Sequence, residues 1–185
     1  MQHKILVAVD SFKGTLSSKE IGDIFKVHFT SSDSVVIADG GEGSLEALQS
    51  TNDEYRVEYF SGSNTHLEDE EQYYLVKDNI AYIETALISG LKSSNDVLKS
   101  SSFGVGLALR DAHSKGYTEA TIFLGGTGSN DGGMGLLSAL GYSFLDKHGQ
   151  QLIPITENIG QITNIIKPDK KISFNTINLI SDVIN

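Results

Sequence analysis

The sequence has 185 residues, with 14 Lys and Arg against 24 Asp and Glu, a formal net charge of −10 at pH 7 that repels nucleic-acid backbones and anionic membrane surfaces. Leu, Ile, Val and Phe make up about 29% of the chain, above the roughly 20% below which charged chains stay disordered. Cysteine is absent, which removes disulfide frameworks, thiolate zinc sites and cysteine nucleophiles together.

Met1, Gln2, His3 and Lys4 lead straight into Ile5-Leu6-Val7-Ala8-Val9, a continuous apolar run of the kind buried on both faces of a parallel sheet. Nothing there reads as a signal peptide, and no apolar run approaches the ~20 residues of a membrane helix, so the cytoplasm is the expected location. Ser17 to Glu20 forms a capping box, and Ile21, Ile24, Phe25 and Phe29 follow at helical spacing, predicting a helix from about Ser18 to Phe29. Val35-Val36-Ile37 reads as a second strand, Ala38 to Gly43 as a glycine-rich turn, and Ser44 to Ser50 as a short helix with Leu45 and Leu48 inward.

Between Val57 and Glu84 the style turns antiparallel, with strands at Val57–Phe60, Tyr73–Val76 and Ile80–Ile83 and a hairpin turn at Asp78-Asn79. The acidic stretch Gly62 to Glu71 reads as a solvated loop. Val105, Ala108, Leu109 and Ala112 predict a helix closed near Gly116, followed by a strand Ala120 to Leu124. A second glycine-rich turn, Gly125 to Gly133, leads into a helix through Leu136, Leu137 and Leu140 that ends at Gly141. Beyond it the pattern predicts a strand Tyr142 to Leu145, a helix carrying Ile159, Ile162 and Ile166, and strands near Ile172 and Asn178.

In open α/β sheets ligands bind beyond the carboxyl ends of strands, and three such ends carry polar and glycine residues: Asp10 to Gly14, Ala38 to Gly43 and Gly125 to Gly133. They are expected to converge on one cleft. Glycines let backbone approach a ligand, helix-start N–H groups can hold an anion, and Lys13 offers a positive charge to a phosphate. Asp10, Asp39, Glu42 and Asp131 have the chemistry to hold Mg²⁺ or to take a proton from an attacking hydroxyl; which of them holds a metal is left open. The plainer reading of each turn is punctuation with an Asp N-cap, and Glu84 at its strand end is equally a cap. The five histidines show no metal-ligand spacing, and neither a P-loop, a Gly-x-Gly-x-x-Gly after a strand nor a Gly-x-Ser-x-Gly elbow occurs.

Taken together, Asp10-Ser-Phe-Lys-Gly14, Ala38-Asp-Gly-Gly-Glu-Gly43 and Gly125-Gly-Thr-Gly-Ser-Asn-Asp-Gly-Gly133 resemble the motifs of the bacterial glycerate kinase family (type 1). Family members typically carry Pro-Asp-Ser-Phe-Lys-Gly, Ala-Asp-Gly-Gly-Glu-Gly and Gly-Gly-Ser-Ala-Thr-Asn-Asp-Gly-Gly at these places. The resemblance extends to Ile83-Glu84-Thr85-Ala86, Ser89-Gly90-Leu91 and the closing Ser181-Asp182-Val183-Ile184-Asn185. It departs at Val9, where the family has proline, and at Ser101 to Leu107, where the family resembles Thr-Thr-Tyr-Gly-Thr-Gly-Glu. There Val105 and Leu107 stand either for helix packing or for a lost ligand contact.

The resemblance implies an α/β fold: a flavodoxin-like lobe, begun by residues 1–60, and part of a second mixed α/β lobe over residues 61–185. Family chains are about twice this length, so the sequence corresponds to an N-terminal half, either cut short or naturally shortened. The implied activity is Mg²⁺- and ATP-dependent phosphorylation of D-glycerate, with Asp10, Lys13 and Asp39 as catalytic residues. Ser11, Gly40, Gly41, Glu42, Glu84, Ser89, Gly125, Gly126, Thr127, Ser129, Asn130 and Asp131 are the implied substrate- and nucleotide-binding residues. The alternatives are a shortened, non-catalytic module that binds glycerate or a nucleotide, and a chain whose open sheet edges associate with themselves or with a complementary C-terminal half. A flavodoxin-type FMN-binding protein is a further rival.

Overall fold

Residues 4–12, 14–90 and 96–181 are described by a computed structural model of the chain. Lys13, Leu91 and residues 182–185, which carry some of the expectations above, lie outside the described residues. The described residues build a mixed α/β fold around three sheets.

The first unit is β1 (Ile5–Val9), α1 (Ser18–His28) and β2 (Ser32–Val36), with β1 and β2 paired in parallel. The capping box forms as the sequence predicts: the Glu20 N–H donates to Ser17 Oγ at 3.2 Å, and the Ser17 N–H donates to the Glu20 carboxylate at 2.7 Å. The Ser18 hydroxyl donates to the Val9 carbonyl at 2.5 Å and accepts the Ile37 N–H at 3.2 Å, so one buried side chain ties both strand ends to the helix start. The expectation that β1 is buried on both faces fails. Val7 is buried under α1, while Leu6, on the other face, is 66% exposed. A two-stranded pair with one covering helix shields only one of its faces.

The main sheet runs β3-β4-β5-β6-β9. Its strands β3 (Arg56–Ser63), β4 (Asp69–Lys77) and β5 (Ile80–Glu84) are antiparallel, whereas β5, β6 (Glu119–Phe123) and β9 (Thr176–Ile180) are parallel. The hairpin turn falls at Asp78-Asn79, with Asp78 at φ 53°. Strict alternation divides the side chains between two faces. Tyr74, Val76, Ala81, Ile83, Ala120 and Ile122 pack with Val105, Ala108, Leu109 and Ala112 of α4 (Phe103–Ser114). On the opposite face Leu75 and Phe123, with Tyr73 and Tyr82 beside them, pack against Leu45 of α2 (Ser44–Thr51). Glu84 shares the α2 face with Tyr82, two residues before it.

Three further expectations are corrected. The acidic stretch 62–71 is not a solvated loop throughout: β3 continues to Ser63, β4 begins at Asp69, and Ser63, Asn64 and Thr65 are buried. Asn64 Oδ1 there accepts the N–H groups of His66 and Glu68, so a polar side chain closes the turn that a charge count reads as solvated. The helix expected through Ile159, Ile162 and Ile166 is a 3-10 turn at Thr156–Gln161 followed by β8 (Asn164–Ile166), which pairs antiparallel with β7 (Ser143–Leu145). The isoleucine spacing suits a helix, but Gly160 interrupts it and the β-branched Ile165-Ile166 pair joins a strand instead. No described strand covers Ile172.

The remaining helices are α3 (Thr85–Ser89), directly after β5, and α5 (Met134–Ala139), which is followed by Gly141 at φ 96°. Val105 is 3% exposed in the core and Leu107 packs against the same cluster, so both belong to helix packing. Helices α4 and α5 meet so closely that a Cβ on Gly106 would lie 2.3 Å from the Leu136 carbonyl oxygen and 2.7 Å from Ala139 Cβ. Gly106→Ala is therefore expected to cost about 1–3 kcal/mol despite alanine's better helix propensity, measured by urea unfolding. An unchanged midpoint would show that the two helices separate freely.

Candidate functional site

The three polar strand ends do come together. Asp10, Ser11, Phe12 and Gly14 after β1, and Glu42 and Gly43 before α2, line a depression of about 520 Å³ with Tyr73, Glu84 and Leu87. A second depression, of about 460 Å³, is lined by Asp39, Gly41, Glu42, Glu84, Gly125 and Gly126 among others. Gly14, Glu42, Glu84 and Leu87 line both, so the two hollows share a wall.

Glycine makes the junction possible. A Cβ on Gly125 would lie 2.6 Å from Gly41 Cα, so the turns 38–43 and 125–133 touch backbone to backbone. The Gly125 N–H donates to the Gly40 carbonyl at 3.0 Å, and Gly40, at φ 93°, packs against Ile180 of β9. Within its own turn Asp39 Oδ1 accepts the Gly41 N–H at 3.0 Å. Asp39 and Glu42 are exposed; Asp10 is half-buried, its Oδ1 accepting the Ser11 N–H at 2.7 Å.

Glu84 stands at the centre of this arrangement, 4% exposed at the end of β5. Its Oε1 accepts the Gly43 N–H at 3.1 Å and its Oε2 the Leu45 N–H at 2.9 Å, across the first turn of α2. Burial pushes its carboxyl above the ordinary range; the Leu45 and Gly43 N–H groups oppose that shift, and nearby Glu42 adds to it. Burial, with the Glu84 charge second, likewise raises the Tyr73 phenol.

Asp131 plays the matching part at α5. It is 3% exposed, and its two oxygens accept N–H groups from Ser102, Gly133 and Gly135 at 2.8, 3.0 and 2.9 Å. The Ser102 hydroxyl donates to the same carboxylate at 2.9 Å and accepts the Leu136 N–H, also at 2.9 Å. Asp131 thus lies outside both depressions and ties the starts of α4 and α5 together. Neither do Thr127, Ser129 and Asn130 line the hollows; Thr127 and Asn130 are exposed, and the Thr127 and Ser129 hydroxyls are 3.3 Å apart. Ser89 is fully buried, its carbonyl accepting the Gly128 N–H at 2.6 Å and its hydroxyl without a partner among the described residues.

Several of the helix-start N–H groups expected to hold an anion have acceptors within the chain. Those of Gly43 and Leu45 are held by Glu84, those of Gly133 and Gly135 by Asp131, and that of Glu20 by Ser17. The starts of α1, α2 and α5 thus each have an internal acceptor. Sequence reading missed Glu20, Glu46, Gln49, Tyr73 and Leu87 as lining residues, although the capping box and the alternation of β4 both carried the signal.

Acidic side chains dominate the first hollow, where Asp10, Glu20, Glu42, Glu46 and Glu84 stand without Lys or Arg among the described lining residues. No group of three or more His, Asp or Glu with metal-ligand geometry occurs among the described residues. Mg²⁺ in phosphoryl-transfer sites typically uses only one or two carboxylates, with water and phosphate completing its shell, and the exposed Asp39 and Glu42 fit that donor set. No described helix is long and apolar enough to cross a membrane.

Residues 5–185 match the model of the glycerate kinase family. The chain is 32% identical over 160 residues to the glycerate 2-kinase of Escherichia coli, covering 80% of this chain and 42% of that protein. It is 34% identical over 191 residues to an uncharacterised protein of Synechocystis, covering 98% of this chain and 51% of the other. A crystal structure assigned to glycerate kinase 2 of Salmonella typhimurium LT2 superposes with a TM-score of 0.68 at 28% identity, covering 88% of this chain and 47% of that one. The chain spans about half the length of the curated relatives it matches.

Two outcomes follow from the carboxylates. Asp131→Ala strands three N–H groups and is expected to cost at least about 2 kcal/mol in urea unfolding, whereas Glu42→Ala stays within about 0.5 kcal/mol; equal losses would contradict the placement. For Glu84 the folded-state pKa lies above the ordinary value of 4.5, so the folded state holds the proton more tightly. Its contribution to stability is greatest below the unfolded value and is lost as pH rises through the folded value. Wild type is therefore expected to lose stability relative to Glu84→Gln as pH rises from about 4.5; parallel curves would refute the raised pKa.

Proposed function

This chain belongs to the glycerate kinase family, and on that premise we propose that it supplies the substrate-handling face of an enzyme that transfers a phosphoryl group from ATP to D-glycerate. The observation that carries the reading is the meeting of the turns after β1, β2 and β6 at two hollows sharing Glu42 and Glu84. Phosphoryl transfer asks little covalent chemistry of a protein and much positioning and charge compensation. Fixed turns carrying exposed carboxylates suit that demand.

In this reading Asp39 or Asp10 accepts the proton of the attacking glycerate hydroxyl, since both carboxylates stand at the rims of the hollows. Lys13 is assigned the compensation of phosphate charge. Glu42, with Asp39 where Asp10 is the base, would hold Mg²⁺, which when bound neutralises phosphate oxygens. Ser11, Gly41, Gly125 and Gly126 line the space left for substrate and nucleotide. A first lobe begun by residues 1–60 and a second over 61–185 remain part of the proposal, as does action in the cytoplasm on a small organic acid.

Turnover by this chain is itself part of the proposal, because the chain covers about half the length of its relatives. The same coverage favours a second reading, in which the chain alone binds glycerate or nucleotide without transfer. Leu6, Val35 and Ile37, exposed on the face of the β1–β2 pair away from α1, give self-association or a complementary half an apolar surface to cover.

Glycerate-dependent ADP release by the folded chain with Mg²⁺ decides between the readings. Turnover that falls about 10²-fold or more in Asp39→Ala or Asp10→Ala supports the first. Ligand-induced thermal stabilisation without turnover supports the second, and the absence of both removes either role from this chain.

A further inference from the structure

We propose that Glu84 is a positioning residue, whose carboxylate fixes the 38–43 turn from the end of β5 so that Asp39 and Glu42 face the two hollows. The inference rests on the functional reading given to those two carboxylates.

Three features separate this arrangement from an ordinary helix cap. The N-cap of α2 is Gly43, which has a left-handed backbone at φ 87° and no side chain to satisfy the helix start. The acceptor comes instead from 41 and 39 residues along the chain, on a different element. Both carboxylate oxygens are engaged by separate N–H groups, so Glu84 acts on the turn while lining the hollows.

The other anchors of the turn cannot do this work. Gly125 holds the Gly40 carbonyl, the Gly41 carbonyl accepts the Ser44 hydroxyl at 2.7 Å, and Asp39 Oδ1 accepts the Gly41 N–H at 3.0 Å. These bonds fix the first part of the turn and leave the N–H groups of Gly43 and Leu45 to Glu84. Those donors lie at the positive end of a helix, whose field offsets part of the cost of burying the charged carboxylate. Replacement by glutamine keeps the shape but turns an NH₂ group toward one N–H, so one of the two bonds must be lost.

Amide hydrogen exchange of the 185-residue chain tests the positioning directly, with Glu84→Gln compared to wild type. The expected result is exchange at least tenfold faster at whichever of Gly43 and Leu45 faces the new NH₂ group, with Ala81 and Ile122 in the sheet unchanged. Exchange at Gly43 and Leu45 within twofold of wild type overturns the proposal, as does an equal acceleration over the whole sheet.

A second measurement separates positioning from direct contact. Binding of D-glycerate and of ATP with Mg²⁺ is measured in Glu84→Gln, Asp39→Ala and the double variant. If Glu84 acts through the turn, the double variant loses less than the product of the two single losses; multiplicative losses overturn the proposal. Should wild type bind neither probe, the functional reading of this chain falls. The exchange rates still decide whether Glu84 fixes the turn.

Discussion

The contact on which the rest of the structure depends is the meeting of two turns with no side chain between them. With a Cβ at Gly125 only 2.6 Å from Gly41 Cα, any other residue would push the turn after β2 away from the turn after β6. The small β1–α1–β2 unit and the five-stranded sheet belong to separate hydrogen-bonded sheets. Their polar strand ends share a site because glycine permits this approach, and because the Gly125 N–H then completes a bond to the Gly40 carbonyl.

Once the backbones touch, carboxylates hold the helices that leave the turns. The chain solves the same problem twice. A glycine in a left-handed conformation, Gly43 or Gly133, enters each helix, and a buried acid, Glu84 or Asp131, accepts the exposed N–H groups. The difference lies in where each acid comes from. Asp131 belongs to the turn that it caps and recruits Ser102 of the neighbouring element, so it strengthens packing between α4 and α5. Glu84 arrives from the central strand and stands in the shared wall of both hollows, so its placement bears on the site.

Legibility in the sequence followed how local the determining physics is. The capping box at Ser17, the alternation of β4 and β5, and the glycine turns each depend on a few neighbouring residues, and they appear where the pattern puts them. The site's composition was legible in part. Asp10, Ser11, Asp39, Glu42 and Gly125 line the hollows because strand ends gather in an α/β fold, whereas Thr127 to Asp131 share the motif but turn away from them. Nothing in the string Gly128-Ser129-Asn130-Asp131 reveals that the last carboxylate is taken by Ser102, since that bond depends on how α4 and α5 pack. Likewise Ile159, Ile162 and Ile166 carry helical spacing, yet Ile166 is drawn into pairing with Ser143, a partner more than twenty residues away.

The charge of the site completes the physical picture. Five carboxylates border the first hollow in a chain that already carries −10, so the field at its mouth opposes both an organic acid and a polyphosphate. With the N–H groups of Gly43 and Leu45 held by Glu84, those donors at the start of α2 are not free to offset such a field. Compensation must then come with the ligand, and the exposed Asp39 and Glu42 offer carboxylate oxygens to a cation that accompanies it. Electrostatics alone therefore favours an anion accompanied by a divalent cation over a bare one, and under the proposed function that anion is ATP in its metal-bound form.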